Sequence, residues 1–379
     1  MLTMKYISSG NICRICKGKT FPIVNRIHDS RFGVPGEYSA VECQRCGTLS
    51  TVPIPTTREL SRLYKRYYNF GGSGKGRYER IREAFHRSVI YRIWLKIDGD
   101  IAFQGVRRSG QIARGPEGKT ARVRVSREVP FGSKSFAQGS SPSLLEIGCN
   151  EGRNLEIYRR NGFSAEGQEI NPVAVKTARA RGFRVHAGAL EKVKGRFDVV
   201  VLANVLEHAP DPSAMLRQVR RLLIKNGQVW ITVPNNRSWL RFIFGRKWIN
   251  WHVPFHLSHF GQRALVGLLS GKWSVVSGQS AMGVKKWSVV SGQSETDNRK
   301  LTTDNFIVTF VKTKTPALWV AQSIIAAIFA RPGKPTRQLR NPILVAGLMI
   351  MIRFVLFPFL IAGNLLGRGD ALVVRAMKV

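Results

Sequence analysis

Acidic side chains are scarce in this chain: 23 Asp and Glu stand against 60 Lys and Arg, a formal net charge of +37 over 379 residues. Such an imbalance argues against a cationic partner and for an anionic one: nucleic acid, a phospholipid surface or a phosphorylated substrate. The alternative is that an arginine-rich loop alone inflates the count. Cysteine is sparse too, five in all, and four of the five fall in two C-x-x-C pairs. That usage suits a reducing compartment and a metal better than a disulfide framework. Met1 to Gly10 lacks the apolar stretch of a cleavable leader. Apolar runs that are both long and clean are missing as well: Ala317 to Ala330 is too short to span a bilayer, and Ile343 to Gly363 carries Arg353 and Pro358. An interfacial or re-entrant hairpin fits both segments, with Arg331, Lys334, Arg337 and Arg340 between them facing anionic head groups. The 44% hydrophobic content still suffices for one good-sized core and a smaller module.

The most informative stretch is Leu144-Leu145-Glu146-Ile147-Gly148-Cys149-Asn150-Glu151-Gly152, an apolar strand running into a turn with two glycines four apart. Gly148 lets the backbone turn sharply, Gly152 lets the next helix start close to the strand, and that helix offers free N–H groups to a ligand. A nicotinamide fingerprint is absent, because Asn150 and Arg153 stand where its second and third glycines belong. Strand and helix then alternate. Asn154 to Arg160 reads as a helix, Phe163 to Glu169 as a strand, and Asn171-Pro172 as the cap and first residue of a helix ending near Gly182. Phe183 to His186 reads as a third short strand and Phe197 to Asn204 as a buried parallel one. Asp211-Pro212 opens a helix that Asn226-Gly227 ends before a strand over Val229 to Val233. Glu169, 23 residues after Glu146, stands at the end of the second strand, where a carboxylate can accept both hydrogen bonds of a ribose diol.

The order Glu146-x-Gly148-x-x-x-Gly152, the loop Leu206-Glu207-His208-Ala209-Pro210-Asp211-Pro212 and the stretch Pro254-x-His256-Leu257-x-x-Phe260 together resemble the class I S-adenosylmethionine-dependent methyltransferases. Asn150 replaces the family's middle glycine, and it tolerates positive φ better than most residues. The resemblance runs from about Ser143 to Val379. It implies an α/β fold with a Rossmann-like seven-stranded sheet, mostly parallel, closed by a last antiparallel strand at Gly369 to Ala376. It also implies S-adenosylmethionine as cofactor, held by Glu146, Gly148, Cys149, Asn150, Gly152, Glu169, Ala189, Leu190 and Asn204. The four-cysteine module ahead of this domain is similar to that of the sugar-modifying C-methyltransferases.

The module itself is read from Cys13-x-x-Cys16 and Cys43-x-x-Cys46, two knuckles separated by 26 residues, each with a glycine nearby. Four thiolates in this arrangement make a tetrahedral structural zinc site with no open position, or else a nucleic-acid-binding ribbon. The chain thus divides into a zinc-binding module (1–56), a helical connector (57–98), a basic flexible insertion (99–142), a methyltransferase core (143–310), an apolar, membrane-associated insertion (311–366) and a closing strand (367–379). In the connector, Leu60, Leu63, Tyr64 and Tyr67 share one helical face that docks on the larger domain, and Gly71 to Gly74 form a joint before a second helix over Tyr78 to Ile97. Lys272 to Ser280 recurs unchanged as Lys286 to Ser294, and one copy is expected to supply a sheet strand. His208 and His256 are the candidate proton acceptors; the imidazoles around His256 otherwise cap the helix that follows, and their spacing fits no single helix face, so no metal site is read there. Function then reads as methyl transfer to a small or lipid-linked metabolite (sugar, polyketide or quinone-like acceptor), peripheral at the cytoplasmic face of a membrane. The alternatives are a zinc-containing RNA methyltransferase and a non-catalytic membrane scaffold with a decayed cofactor site.

Overall fold

A computed structural model describes residues 6–7, 12–67, 88–89, 141–271, 306–334, 336 and 342–379. The glycine joint, the second connector helix, nearly all of the basic insertion and both copies of the repeat lie outside the described residues.

The N-terminal strands are β1 (Tyr6–Ile7), β2 (Thr20–Ile27), β3 (Tyr38–Cys43), β4 (Leu49–Val52) and β5 (Ile54–Pro55), followed by helix α1 (Thr57–Tyr67). Thr56 and Glu59 cap α1 reciprocally, the Glu59 carboxylate accepting from Thr56 N at 3.0 Å and Thr56 Oγ1 accepting from Glu59 N at 3.3 Å. Leu60 and Leu63 are buried against Phe32, Val34, Phe255 and Leu257. The apolar face of α1 therefore docks as its spacing predicts.

The core begins at β6 (Ser143–Ile147) and continues through α2 (Arg153–Arg160), β7 (Ser164–Glu169), α3 (Pro172–Ala180), β8 (Val185–Ala187), β9 (Phe197–Ala203), α4 (Pro212–Leu222) and β10 (Leu223–Pro234). Asn171 Oδ1 accepts from Val173 N at 2.9 Å to cap α3, and Asp211 Oδ1 accepts from Ala214 N at 3.0 Å to cap α4. After β10 come α5 (Trp239–Phe244), β11 (Ser258–His259), α6 (Gln262–Ser270), β12 (Phe306–Lys314), α7 (Ala317–Phe329), α8 (Pro342–Val355), α9 (Phe357–Leu365) and β13 (Ala371–Lys378).

Seven strands form one sheet in the order β12-β13-β10-β9-β6-β7-β8. β8, β7, β6, β9 and β10 run parallel, whereas β13 lies antiparallel to both β10 and β12. Alternation along the strands gives the sheet two apolar faces. Leu145, Val200, Leu202 and Ile231 pack with Leu216 and Val219 of α4 and Ala264 and Leu265 of α6. Leu144, Val199 and Val201 pack with Leu155 and Tyr158 of α2 and Val175 and Ala178 of α3. The position beside β13 is taken by Phe306–Lys314, not by a copy of the repeat.

Two local boundaries differ from the sequence reading. α4 ends at Leu222, and Leu223 already pairs with Phe197; Asn226, at φ 60°, lies inside a register shift of β10 rather than at a helix end. Strand pairing at Leu223 ends the helix one turn before the Asn-Gly signal. The apolar run from 343 to 363 is split at Leu356, the cap of α9, with Pro358 at the start of that helix. Among the described residues no helix is long and apolar enough to cross a membrane.

β11 leaves the core and extends the N-terminal sheet, in the order β11-β4-β3-β2, through Ser258↔Ser50 and His259↔Leu49. Arg237 pairs with Glu42, and Asn236 Nδ2 donates to Gly47 O at 2.9 Å. These contacts fasten the cysteine module to the loop that carries the histidines.

Candidate active site

The turn after β6 meets its expected geometry. Gly148, Asn150 and Gly152 have φ of 68°, 50° and 75°, so Asn150 adopts the left-handed conformation in place of a glycine. A Cβ on Gly148 would stand 2.9 Å from Val205 Cγ2, so the turn and the loop after β9 are closely apposed. One strand over, a Cβ on Gly167 would stand 2.3 Å from Cys149 Sγ. Burial, aided by the charges of Glu146 and Glu169, pushes the Cys149 thiol up, so it stays a neutral packing group.

Glu169 closes this turn from the end of β7. Its Oε2 accepts from Asn150 N at 2.9 Å, and its Oε1 accepts from Ile170 N and Asn171 N, both at 2.8 Å. Three N–H groups occupy three of about four acceptor sites on a carboxylate, so a diol presenting two hydroxyls would displace one of them. Asn150 N–H, alone on Oε2, is the one whose departure frees an oxygen. Glu146 is buried in β6 and accepts from Asn154 Nδ2 of α2. Asn204, at φ 55°, hangs from β10 through its N–H to Thr232 O at 2.9 Å, while its Oδ1 is buried with no hydrogen-bond partner among the described residues. Such an atom needs a donor to offset its burial. Ala189 is exposed and Leu190 buried in the core; Gly188 N donates to Glu169 O at 2.9 Å and holds that loop beside the turn. The residues expected to hold S-adenosylmethionine are thus gathered at the carboxyl ends of β6, β7, β8 and β9. A buried acceptor, a carboxylate and a turn without room for side chains fit that cofactor.

Beside the turn, the loops after β9 and before β11 bring histidines together. His208 Nδ1 lies 2.9 Å from Tyr64 Oη and 3.0 Å from Phe255 O. His256 Nδ1 lies 2.8 Å from Asn250 O, and His252 Nδ1 lies 3.2 Å from His256 Nε2. Thr51 Oγ1 donates to His256 O at 2.6 Å and lies 3.1 Å from His259 Nε2. Burial drives His252 and His256 well below their ordinary value and His259 down to about 3, so these imidazoles are neutral at physiological pH. They do not cap α6, whose N-cap is Gly261 without a side-chain bond. Sequence reasoning missed Tyr64, Thr51 and Asp370. Asp370 accepts from Trp248 Nε1 at 2.8 Å and from Asn250 Nδ2 at 2.9 Å, and so fixes the residue whose carbonyl orients His256.

The cysteines converge as their spacing predicts: Cys13 Sγ lies 3.8 Å from Cys46 Sγ and Cys16 Sγ 3.3 Å from Cys43 Sγ, with all four within 4.8 Å of one another. Sulfurs about 2.3 Å from a common tetrahedral ion are roughly 3.8 Å apart, so the donor set fits zinc.

Residues 119–271 match the family described as a methyltransferase domain. The chain is similar to a ubiquinone biosynthesis O-methyltransferase of Pseudomonas aeruginosa, 28% identical over 186 residues that make up 46% of this chain and 78% of the relative. Among solved structures it is similar to the S-adenosylmethionine-bound CalS10, an amino pentose methyltransferase from Micromonospora echinaspora, with 25% identity, a TM-score of 0.23 and coverage of 25% of this chain and 43% of that one. Streptomyces venezuelae DesVI gives 22% identity, a TM-score of 0.23 and coverage of 24% and 42%. The chain thus spans less than half the length of either solved structure. The chain carries a match to a methyltransferase domain over residues 119–271, and its strand order and glycine turn agree with the S-adenosylmethionine-dependent fold that the sequence resembles.

Proposed function

We propose that the enzyme methylates a small or lipid-linked metabolite, with a quinone-like acceptor favoured over a sugar or polyketide. In this reading the turn from Gly148 to Gly152, with Glu146 and Cys149 behind it, takes the methionine part of the cofactor. Glu169 holds the ribose, Ala189 and Leu190 border the adenine, and Asn204 faces the cofactor from β9. The sulfonium supplies an electrophilic methyl group. His208 and His256 stand on the acceptor side as neutral imidazoles able to take a proton, which methyl transfer to a hydroxyl requires at some point. Alignment of the nucleophile with the methyl group provides much of the remaining acceleration. Zinc on Cys13, Cys16, Cys43 and Cys46 folds the module whose strand β4 carries β11.

The observation that carries the acceptor class is the apolar exposure near the C-terminus. Phe354 and Val355 are 80% and 70% exposed, and Ile328, Phe329, Met351, Phe357 and Leu365 are exposed with them. Arg331 and Lys334 follow directly on α7. Apolar side chains bordered by cations suit the interface of an anionic membrane, where a lipid-linked substrate resides. A peripheral position at the cytoplasmic face agrees with five unpaired cysteines. The name of the Pseudomonas relative supports the quinone-like acceptor. The test is to incubate the enzyme and methyl-labelled cofactor with separated lipid, small-molecule and RNA fractions. Label is expected in the lipid or small-molecule fraction; label in RNA overturns the proposal.

A further inference from the structure

Three imidazoles converge beside the cofactor turn, with the Glu207 carboxylate at the edge of the group, although their sequence spacing lies on no helix face. Donor atoms of His208, His252 and His256 all lie within 4.8 Å of one another. The ring pairs His208–His256 and His252–His256 have centroids 4.6 and 4.7 Å apart at 82° and 75°, and His208–His252 are 6.0 Å apart at 88°. None of these ring pairs is stacked face to face. The separation of 3.2 Å between His252 Nδ1 and His256 Nε2 is the edge expected of two nitrogens about 2.0–2.1 Å from one ion, which is roughly 3 Å. Glu207 Oε1 stands 3.9 Å from His256 Nε2, and the two side chains are 1% and 5% exposed.

The surroundings have the form of a metal's outer shell. Asn250 O and Phe255 O face the Nδ1 atoms of His256 and His208, which turns each Nε2 inward. Asp370 in turn holds Asn250. We propose that His208, His252 and His256 form a second metal site, taking one divalent first-row ion through three imidazole nitrogens with a fourth position open and the Glu207 carboxylate beside His256. Three imidazole donors select the zinc, cobalt or iron class over calcium or magnesium. The ion would hold an oxygen of the methyl acceptor and orient it, with His208 and His256 then serving as ligands rather than proton acceptors. This acceptor role rests on the proposed function; the metal site itself does not.

The probe is Co2+, titrated into the full chain after chelation, with bound metal counted and the optical spectrum recorded. Two equivalents are expected, one with thiolate-to-metal charge transfer and one with ligand-field bands alone. In His252→Phe, a shape already surrounded by Phe32 and Phe255, the second equivalent should vanish while the thiolate bands and S-adenosylmethionine binding persist. One equivalent in the wild-type chain, purely thiolate in character, overturns the site and leaves a chain of hydrogen-bonded imidazoles; this count needs no variant to fold. A second equivalent that survives in His252→Phe overturns it too. Label transfer to a metabolite with only one metal bound would remove the site and keep the proposed function, whereas two metals with label in RNA would do the reverse.

Discussion

Replacing Glu169 by Ala tests the cofactor assignment against a purely structural one. The carboxylate receives N–H groups from Asn150, Ile170 and Asn171 at 2.8–2.9 Å and is 8% exposed. Removing it releases the turn from the end of β7, and three hydrogen bonds to a charge, partly replaced by water, amount to a loss of about 2–4 kcal/mol of stability. That loss follows whether or not the residue meets a ligand. A ribose diol held by the same carboxylate adds a separate penalty of about 1–3 kcal/mol on binding, equivalent to S-adenosylmethionine affinity roughly 5- to 150-fold weaker. Urea unfolding without cofactor measures the first quantity and titration calorimetry the second. Glu169→Gln keeps one acceptor oxygen and should fall between wild type and Glu169→Ala in both. Because Asn150 N–H is the donor a diol would displace from Oε2, its amide resonance should move on cofactor addition more than those of Ile170 and Asn171. Destabilised Glu169→Ala protein that still binds the cofactor within about twofold of wild type would refute the reasoning.

Three further outcomes follow from other parts of the fold. Burial raises the Asp370 carboxyl from 3.8 to about 6 against the hydrogen bonds it accepts. A raised folded-state value stabilises the protein fully below the unfolded value and loses that contribution as pH rises through about 6. The stability difference between wild type and Asp370→Asn should therefore change by about 2 kcal/mol between pH 4 and 6, measured by urea unfolding, and a flat difference would refute it. Gly167→Ala sets a Cβ 2.3 Å from Cys149 Sγ and 3.1 Å from Leu155 Cδ1; an overpacking cost of about 1–3 kcal/mol is expected by thermal melting, recovered in part by adding Cys149→Ala. Chelation of the cysteine-bound metal should raise amide hydrogen exchange in residues 12–55 and also in 256–260, because β4 and β11 share a ladder; a change confined to the first range would refute that coupling.

What could be read from the chain and what could not divide along a physical line. The turn from Gly148 to Gly152, the caps at Asn171 and Asp211, and the paired cysteines are local: backbone sterics and ligand spacing within a few residues specify them. The end of α4 is not local, since pairing of Leu223 with Phe197 overrides the Asn-Gly signal. The histidine cluster is less local still. His252 sits at φ 39°, a left-handed conformation that costs a non-glycine residue about 1–2 kcal/mol, and that places its ring against His256. Tyr64 arrives from 144 residues away and Thr51 from 205. A helix face can be counted from spacing, but a pocket assembled from α1, the turn after β9 and the loop into β11 exists only once β4 has taken β11 as its neighbour. The four-cysteine module, with no open metal position of its own, therefore reaches the chemistry through geometry: it supplies the strand that orders the histidine loop.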